Sequence, residues 1–426
     1  MSRILDSDPQ IYRLVHADLL AGGINPRTGR DGLTAEQVLR ALIVKQMNEF
    51  DYRELEFHLR DSACYQAFCR IGYDQRPSSK TLQRNIKKVR AETLEAVNRL
   101  VLKEAGERGV ENGRTVRTDC TVEETNIHHP TDASLLYDVV RVLTRLLHQA
   151  RQMGFELELV DHRRRAKRRM VEVEHGRRER QRVKGYRELL QLAEEAMDYA
   201  IFAIPTLEYP AASMELKALL LGPELTKELE HYIGLGRRVV EQTRRRVLQQ
   251  EQVEARDKVV SIFEPHTDII VKDRRETLFG HKVCLTTGKS GLVLDCQVLT
   301  GNPADSRLAV RAMERQQEIF GRVPRQASFD GGFASKSNLV DIKEMGVKDV
   351  MFHKKRGLAV PEMAKSSWVY RKLKRFRAGI EGGISFLKRC FGLSRCLWRG
   401  ESSFKAYTWA SVVSANVLML ARHALS

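Results

Sequence analysis

Arg375-Phe376-Arg377-Ala378-Gly379-Ile380-Glu381-Gly382-Gly383-Ile384-Ser385-Phe386-Leu387-Lys388-Arg389 reads as a helix in which a carboxylate sits among cations. At about 100° per residue, with Arg377 as zero, Glu381 falls at about 40° and Lys388 at about 20°, so the three charges share a face. Phe376, Ile380 and Leu387 gather on the neighbouring face and can dock the helix on a core. Ile384 lies close to the charged face and blurs the division. Gly379, Gly382 and Gly383 each cost a helix interior about 1 kcal/mol relative to Ala. Three of them around one carboxylate imply that something large approaches the backbone there. Taken alone, the window also suits an ordinary surface helix, whose Arg–Glu pair contributes about 0.3–0.5 kcal/mol. Acidic residues upstream decide between the two.

Thr115 to Val122 is β-rich and has little helical character, which places Asp119 within or at the end of a strand. Asn126 to Asp132 is a turn into a helix, with Thr131 or Asp132 as N-cap. The adjacent His128-His129 pair does not make a metal site, because neighbouring side chains on an extended chain point apart and no third ligand has a suitable spacing. Lys282–Thr286 and Leu292–Leu299 read as strands joined by a turn at Thr287-Gly288-Lys289-Ser290-Gly291. Gly301-Asn302-Pro303 ends that hairpin, and a helix follows over about 306–320. Arg325 to Gly332 is a strand running into a glycine loop, with Asp330 at its C-terminal end, where sites in open α/β sheets tend to lie. Val347 to Phe352 gives a further strand before the Glu381 helix.

The chain of 426 residues carries 17 more Lys and Arg than Asp and Glu. That excess implies a polyanionic partner: nucleic acid first, an anionic membrane surface second. No apolar run reaches the roughly 18–20 residues that span a bilayer, and Ala406 to Ala421 reads as a buried helix broken by Ser411, Ser414 and Asn416. The basic helices lack the matched aromatic-apolar face of a membrane-surface helix. The N-terminus lacks a signal peptide's apolar core, and the seven cysteines form no Cys-x-x-Cys pair. The expectation is a cytoplasmic protein without a disulfide framework or zinc.

Residues 1–32 suggest a short helix followed by a loop. Thr34 with Gln37, and Asp51 with Glu54, are capping-box pairs that open two helices. A third starts near Ser78-Ser79, with Leu82, Ile86 and Val89 inside and Lys80, Arg84, Lys87, Lys88 and Arg90 around the rest. Three short helices ending in a basic one suggest a helix-turn-helix-like DNA-binding module; a helical packing or dimerisation domain is the alternative. Residues 133–260 are helical. Their run from His162 to Arg187 includes Arg164 and Arg168 and suits a phosphate-tracking surface. A second basic cluster, Arg237-Arg238 and Arg244-Arg245-Arg246, reads as the other arm of a helical hairpin around Pro205 to Pro223.

Asp119, Asp330 and Glu381 are carboxylates at marked places, a strand, a strand end and a helix, with no Cys or His beside them. Such a set suits hard, oxygen-loving ions such as Mg²⁺. Two ions about 3.5–4 Å apart can activate the attacking oxygen and stabilise the leaving oxygen of a phosphodiester.

The chain resembles the DDE transposases of bacterial insertion sequences. Thr118-Asp119-Cys120-Thr121 with Asn126-Ile127 and Pro130-Thr131-Asp132 resembles their first-aspartate block, and Phe329-Asp330-Gly331-Gly332-Phe333-Ala334-Ser335 the second. Arg377, Glu381 and Lys388 match three members of the family's tyrosine–arginine–glutamate–lysine signature at its spacing. The tyrosine position holds Lys374, with Tyr370 nearby but out of register, which leaves a hairpin excision route open. Leu33 to Arg60 resembles the family's helical N-terminal domain.

The resemblance implies an α/β RNase H-like core, a mixed sheet flanked by helices. A long all-α insertion interrupts it and an all-α N-terminal domain precedes it. The expected division is residues 1–108 for DNA binding and dimerisation, 109–132 plus 262–426 for catalysis, and 133–261 for the basic insertion. Asp119, Asp330 and Glu381 are the expected catalytic and metal-binding residues, for two Mg²⁺ ions with Mn²⁺ as a substitute. Arg377, Lys388, Lys374, Arg84, Lys87, Lys88, Arg164 and Arg168 are the expected DNA contacts. Double-stranded DNA, as element ends and target, is the expected partner, with a homodimer or larger synaptic assembly and no membrane. An RNase H-like nuclease that cuts without joining, and a non-catalytic DNA-binding descendant, are the alternatives.

Overall fold

Side-chain caps start the N-terminal helices where the sequence places them. Thr34 Oγ1 accepts from the Gln37 N–H at 3.2 Å while Gln37 Oε1 accepts from the Thr34 N–H at 3.0 Å. Asp51 and Glu54 repeat the arrangement. The computed structural model describes residues 1–21, 32–212, 214–272, 276–354 and 356–425, and the loop expected to close the 1–32 segment lies outside them. Within the described chain, α1 (Ser2–Leu5), α2 (Gln10–Leu20), α3 (Ala35–Met47), α4 (Tyr52–Asp61), α5 (Ala63–Cys69), α6 (Ser79–Ile86) and α7 (Ala91–Glu107) lead to strand β1 (Thr115–Thr125). Helix α5 is an addition to the three expected helices. Ser62 caps it by accepting from the Tyr65 N–H.

The chain forms two units, residues 1–126 with 280–426, and residues 127–279. The second unit is helical: α8 (Asp132–Gln152), α9 (Arg163–His175), α10 (Glu179–Glu208) and α11 (Leu216–Thr243), then β2 (Asp268–Lys272) and the first residues of β3 (Glu276–Thr287). Thr131 proves to be the N-cap of α8. Helices α10 and α11 form the expected hairpin, the first ending at Glu208 and the second starting at Leu216. Pro205 and Pro223 lie inside the helices rather than at the bend. Leu, Val and Ala side chains of α8, α10 and α11 make this unit's own core.

The first unit resumes with β3 and continues through β4 (Val293–Leu299), α12 (Ala309–Phe320), β5 (Gln326–Phe329), α13 (Lys336–Glu344), β6 (Asp349–Phe352), α14 (Val360–Met363), α15 (Ser367–Cys390), β7 (Arg395–Cys396) and α16 (Glu401–His423). Strand β1 pairs antiparallel with β3 and parallel with β5. Strand β3 pairs antiparallel with β4, and β5 parallel with β6. The order β4-β3-β1-β5-β6 is a mixed sheet with helices packed on it, an RNase H-like core.

Helix α16 packs on α3, α7 and β4, so the N-terminal helices and the sheet share one apolar core. Two of the polar residues that interrupt its sequence are used inside it. Asn416 accepts from the Val293 N–H at 2.9 Å and donates to Val293 O and Asn98 Oδ1, both at 2.7 Å. Ser411 donates to Phe391 O at 2.7 Å and accepts from Gln46 Nε2 of α3 at 2.8 Å. Among the described residues no helix is long and apolar enough to cross a membrane.

Candidate active site

The last paired residues of β1 and β5 are Thr118 and Phe329, so the next positions on the two neighbouring strands are Asp119 and Asp330. Strand β5 ends there because Gly331–Phe333 turns into a short 3₁₀ segment. Helix α15 starts at Ser366, whose Oγ accepts from the Val369 N–H, and packs across β1, β5 and β6. It delivers Arg377 to the two aspartates and carries Glu381 one turn further on.

One guanidinium gathers all three acids. Arg377 Nη2 lies 2.8 Å from Asp119 Oδ2 and 3.1 Å from Asp330 Oδ1, and Nη1 lies 2.9 Å from Glu381 Oε1. Exposure grades outward, from 10% for the Arg377 side chain through 15% and 37% for the aspartates to 68% for Glu381. Burial pushes the Asp119 carboxyl up to about 6. Arg377 and the Cys120 N–H, which donates to Oδ1 at 2.8 Å, pull it down, and the like charge of Asp330 adds to the rise. Among the described residues no group of three or more His, Cys, Asp or Glu side chains stands ready to hold a metal directly; a cation from the protein occupies the centre.

The glycines beside Glu381 divide. A Cβ on Gly379 would meet Arg117 Nη1 at 2.2 Å, so the group that approaches the helix backbone there is a side chain of β1. Arg117 donates to Phe376 O at 2.7 Å and to Thr287 Oγ1 at 2.9 Å, tying α15 to the sheet. Gly382 and Gly383 face open space, with nothing within 4 Å of a Cβ. Arg117 lies two residues from Asp119 on the same face of the strand. The period-2 alternation therefore held a signal for it that our sequence reading passed over.

The remaining expected residues fall in several places. Lys388 donates to Val122 O at 2.8 Å, beside the site but turned to the protein. Lys374 is exposed on α15. Tyr370 is buried and donates to Phe352 O at 3.0 Å, so it anchors α15 on β6 and is no substitute for the missing signature tyrosine. Arg84 and Lys87 are exposed on and just after α6, while Lys88 donates to Leu19 O at 3.2 Å.

In the second unit, Arg164 and Arg168 are exposed on α9 and, with Lys167, have no carboxylate within salt-bridge reach among the described residues. The Arg244–Arg246 cluster differs: Arg244 pairs with Glu194, Arg245 with Glu251 and Arg246 with Asp132. On α9 itself Arg163 pairs with Asp161, Arg165 with Glu188, and Arg169 with Glu172 and Glu188, so Arg164, Lys167 and Arg168 are the cations of that run whose charge stays available. His128 lies 3.5 Å from Asp138 and His129 packs edge-on against Phe279, so each has a partner within its own unit.

One further acid escaped the sequence reading. Glu123, four residues after Asp119 on β1, is completely buried. Its Oε2 accepts from Thr408 Oγ1 at 2.7 Å and its Oε1 has no hydrogen-bond partner among the described residues. Burial pushes its carboxyl up to about 8, against the pull of Thr408 and Lys388. Nothing in a strand sequence distinguishes such a residue from a solvated glutamate.

Two family models match the chain. One, described as a Transposase DDE domain, covers residues 269–417, and the other, described as a Transposase domain (DUF772), covers residues 2–88. The first span contains Asp330 and Glu381 and begins well after Asp119. No curated protein and no solved structure matches the chain.

Proposed function

We propose that this chain, which belongs to the DDE transposases and pairs the two domains typical of insertion-sequence members, binds the ends of its element and cuts and rejoins DNA at Asp119, Asp330 and Glu381. The observation that carries the reading is the convergence of these three carboxylates, from two strands and a helix, on one cation. An acidic cluster drawn from distant segments around Arg377, itself 258 positions from Asp119, in a chain with 17 excess positive charges, suits catalysis on a polyanion.

The donor set fits a divalent ion. Asp119 Oδ2 and Asp330 Oδ1 already share a single guanidinium nitrogen, so two acidic oxygens face one cation. All the donors are hard oxygens, as Mg²⁺ or Mn²⁺ prefers. In this reading Asp119, Asp330 and Glu381 are the residues that would hold the two ions. Bound metal supplies Lewis-acid activation of the attacking and leaving oxygens.

The chain's own residues do the positioning. The Cys120 N–H fixes the Asp119 carboxylate, and Arg117 fixes the height of α15 over the sheet. Arg377, which now binds all three carboxylates, would be free to grip a phosphate through two N–H groups if metal took its place there. Lys388 stands on the same helix face, and open space at Gly382 and Gly383 admits a DNA backbone.

Around that centre, residues 1–108 bind DNA through Arg84, Lys87 and Lys88. Residues 109–132 with 262–426 carry catalysis. The α9 face of 133–261, with Arg164 and Arg168, tracks phosphates. Two element ends handled together require a dimer or larger assembly, working in the cytoplasm.

The test is strand transfer in vitro. Purified protein, Mg²⁺ and a labelled element end are mixed with plasmid target, beside a Glu381→Gln control. Joined product that disappears in the control supports the reading. Cutting without joining moves the protein to the nucleases. DNA binding with neither reaction in Mg²⁺ or Mn²⁺ leaves a non-catalytic relative.

A further inference from the structure

The three tryptophans divide sharply by exposure. Trp398 and Trp409 are 4% and 5% exposed, whereas Trp368 is 62% exposed. Trp368 stands in the first turn of α15. Counting by threes from it gives Arg371, Lys374 and Arg377, which lie along one oblique i, i+3 ridge of the helix. Arg371 and Lys374 are exposed, and no carboxylate lies within salt-bridge reach of either among the described residues. The ridge ends at the guanidinium that gathers Asp119, Asp330 and Glu381. Over these nine residues the ridge climbs about 13.5 Å and winds half a turn, so Trp368 and Arg377 stand on opposite sides of α15 and Arg371 and Lys374 cross the exposed face between them. Lys372 Nζ lies 5.2 Å from the Trp368 ring centroid, a cation over one face of the indole.

We propose that this ridge is a track for a single DNA strand leading to the carboxylate cluster, with Trp368 as the platform on which an unpaired base stacks. The proposal rests on the transposase reading for the identity of the strand, but not on catalysis. Single exposed apolar residues are common and need no function. What separates Trp368 from them is its register with two unneutralised cations and a third over its ring. That combination of aromatic platform and cationic groove is how sequence-tolerant single-strand binders hold their ligand. A duplex keeps its base faces stacked inside and offers the indole only an end or an unpaired position. The charge argues against a second copy of the chain as occupant, because a protein with 17 excess positive charges would bring like charge to a cationic ridge.

The experiment uses full-length protein without metal, so that no DNA is cut, and reads tryptophan emission. A short single-stranded oligodeoxynucleotide quenches the emission of the natural protein. Trp368→Leu loses that quenching and about tenfold in single-strand affinity, while Trp368→Tyr keeps most of the affinity. Binding of a blunt duplex is unchanged in both variants. Quenching or single-strand affinity that survives intact in Trp368→Leu overturns the proposal while leaving duplex binding and strand transfer standing. Failure to bind either DNA overturns this proposal and the transposase reading together.

Discussion

Arg377 Nη2 donates to Asp119 Oδ2 at 2.8 Å across 258 positions of sequence. The bond joins the helix that carries the third acid to the strand that carries the first, so α15 cannot shift without disturbing Asp119. It also places a cation where the proposed chemistry needs one. A guanidinium cannot activate an attacking oxygen as a metal does, but it can hold mutually repelling carboxylates together until a divalent ion arrives.

If the guanidinium and a divalent ion compete for the same oxygens, Arg377→Ala will expose that competition. Removing one partner of a mostly buried pair costs about 3 kcal/mol, so the melting temperature falls in metal-free buffer. Millimolar Mg²⁺ then raises it more in the variant than in the natural protein. Thermal shift with and without Mg²⁺ reads both effects. A melting temperature indifferent to Mg²⁺ in both proteins would take metal binding away from these carboxylates.

Glu381→Gln separates chemistry from folding. The side chain is 68% exposed, so its neutralisation changes stability by no more than about 0.5 kcal/mol. Strand transfer is abolished nonetheless. Denaturant melts run beside the joining assay check both. A variant that still joins DNA would exclude Glu381 from the site.

Glu123 gives the protein a pH-dependent stability of defined sign. Its folded-state value is raised from 4.5 to about 8 by burial. Between those values the folded chain keeps the proton and the unfolded chain releases it. Stability is therefore highest below about pH 4.5 and falls as pH rises towards 8. At 1.36 kcal/mol per unit the contribution is about 5 kcal/mol as an order of magnitude. Glu123→Gln, which still accepts from Thr408, removes that slope. Melting curves of the two proteins should separate between pH 5 and pH 8, with the variant increasingly the more stable. Parallel curves would show that Glu123 ionises normally.

The core shared by the N-terminal helices and α16 makes those helices dependent on the C-terminus. Asn416→Ala leaves the buried Val293 N–H and Asn98 without their partner, at a cost of about 2 kcal/mol. Residues 1–108 expressed alone would expose the faces of α3 and α7 that α16 covers. We expect that fragment to lack a cooperative melting transition. A sharp transition in the isolated fragment would show that it folds by itself.

Much of this arrangement was legible in the sequence because it rests on local chemistry. Capping boxes placed α3 and α4, two strand-like runs joined by a glycine turn placed β3 and β4, and helical spacing put Arg377 beside Glu381. What the sequence concealed is long-range. Arg377 bonds Asp119 as well as its helical neighbour, and Gly379 makes room for Arg117 rather than for a ligand. Glu123 is buried where Thr408, 285 positions away on α16, reaches it. Proline misled in the second unit: Pro205 and Pro223 look like the ends of helices, yet packing in that unit's core carries the helices past both. The α9 run and the Arg244–Arg246 cluster look alike in sequence, and the unpaired Arg164, Lys167 and Arg168 stand apart from their paired neighbours only when the carboxylates are located in space.

The point at which the chain departs from and rejoins its sheet has a consequence of its own. Glu124 near the end of β1 and Gly280 in β3 are cross-strand partners. A Cβ on Gly280 would meet Glu123 O at 2.0 Å, so only glycine fits where the chain returns. For the β1–β3 ladder, which ends at this pair, everything between these two residues is a single hairpin loop. Loop closure costs only about 0.6 kcal/mol for each doubling of length, so the stem is nearly indifferent to how much chain it carries. The segment therefore behaves as an exchangeable cassette. A lineage could lengthen, shorten or replace it while Asp119 stays opposite Leu285, and with it the place of the first catalytic acid.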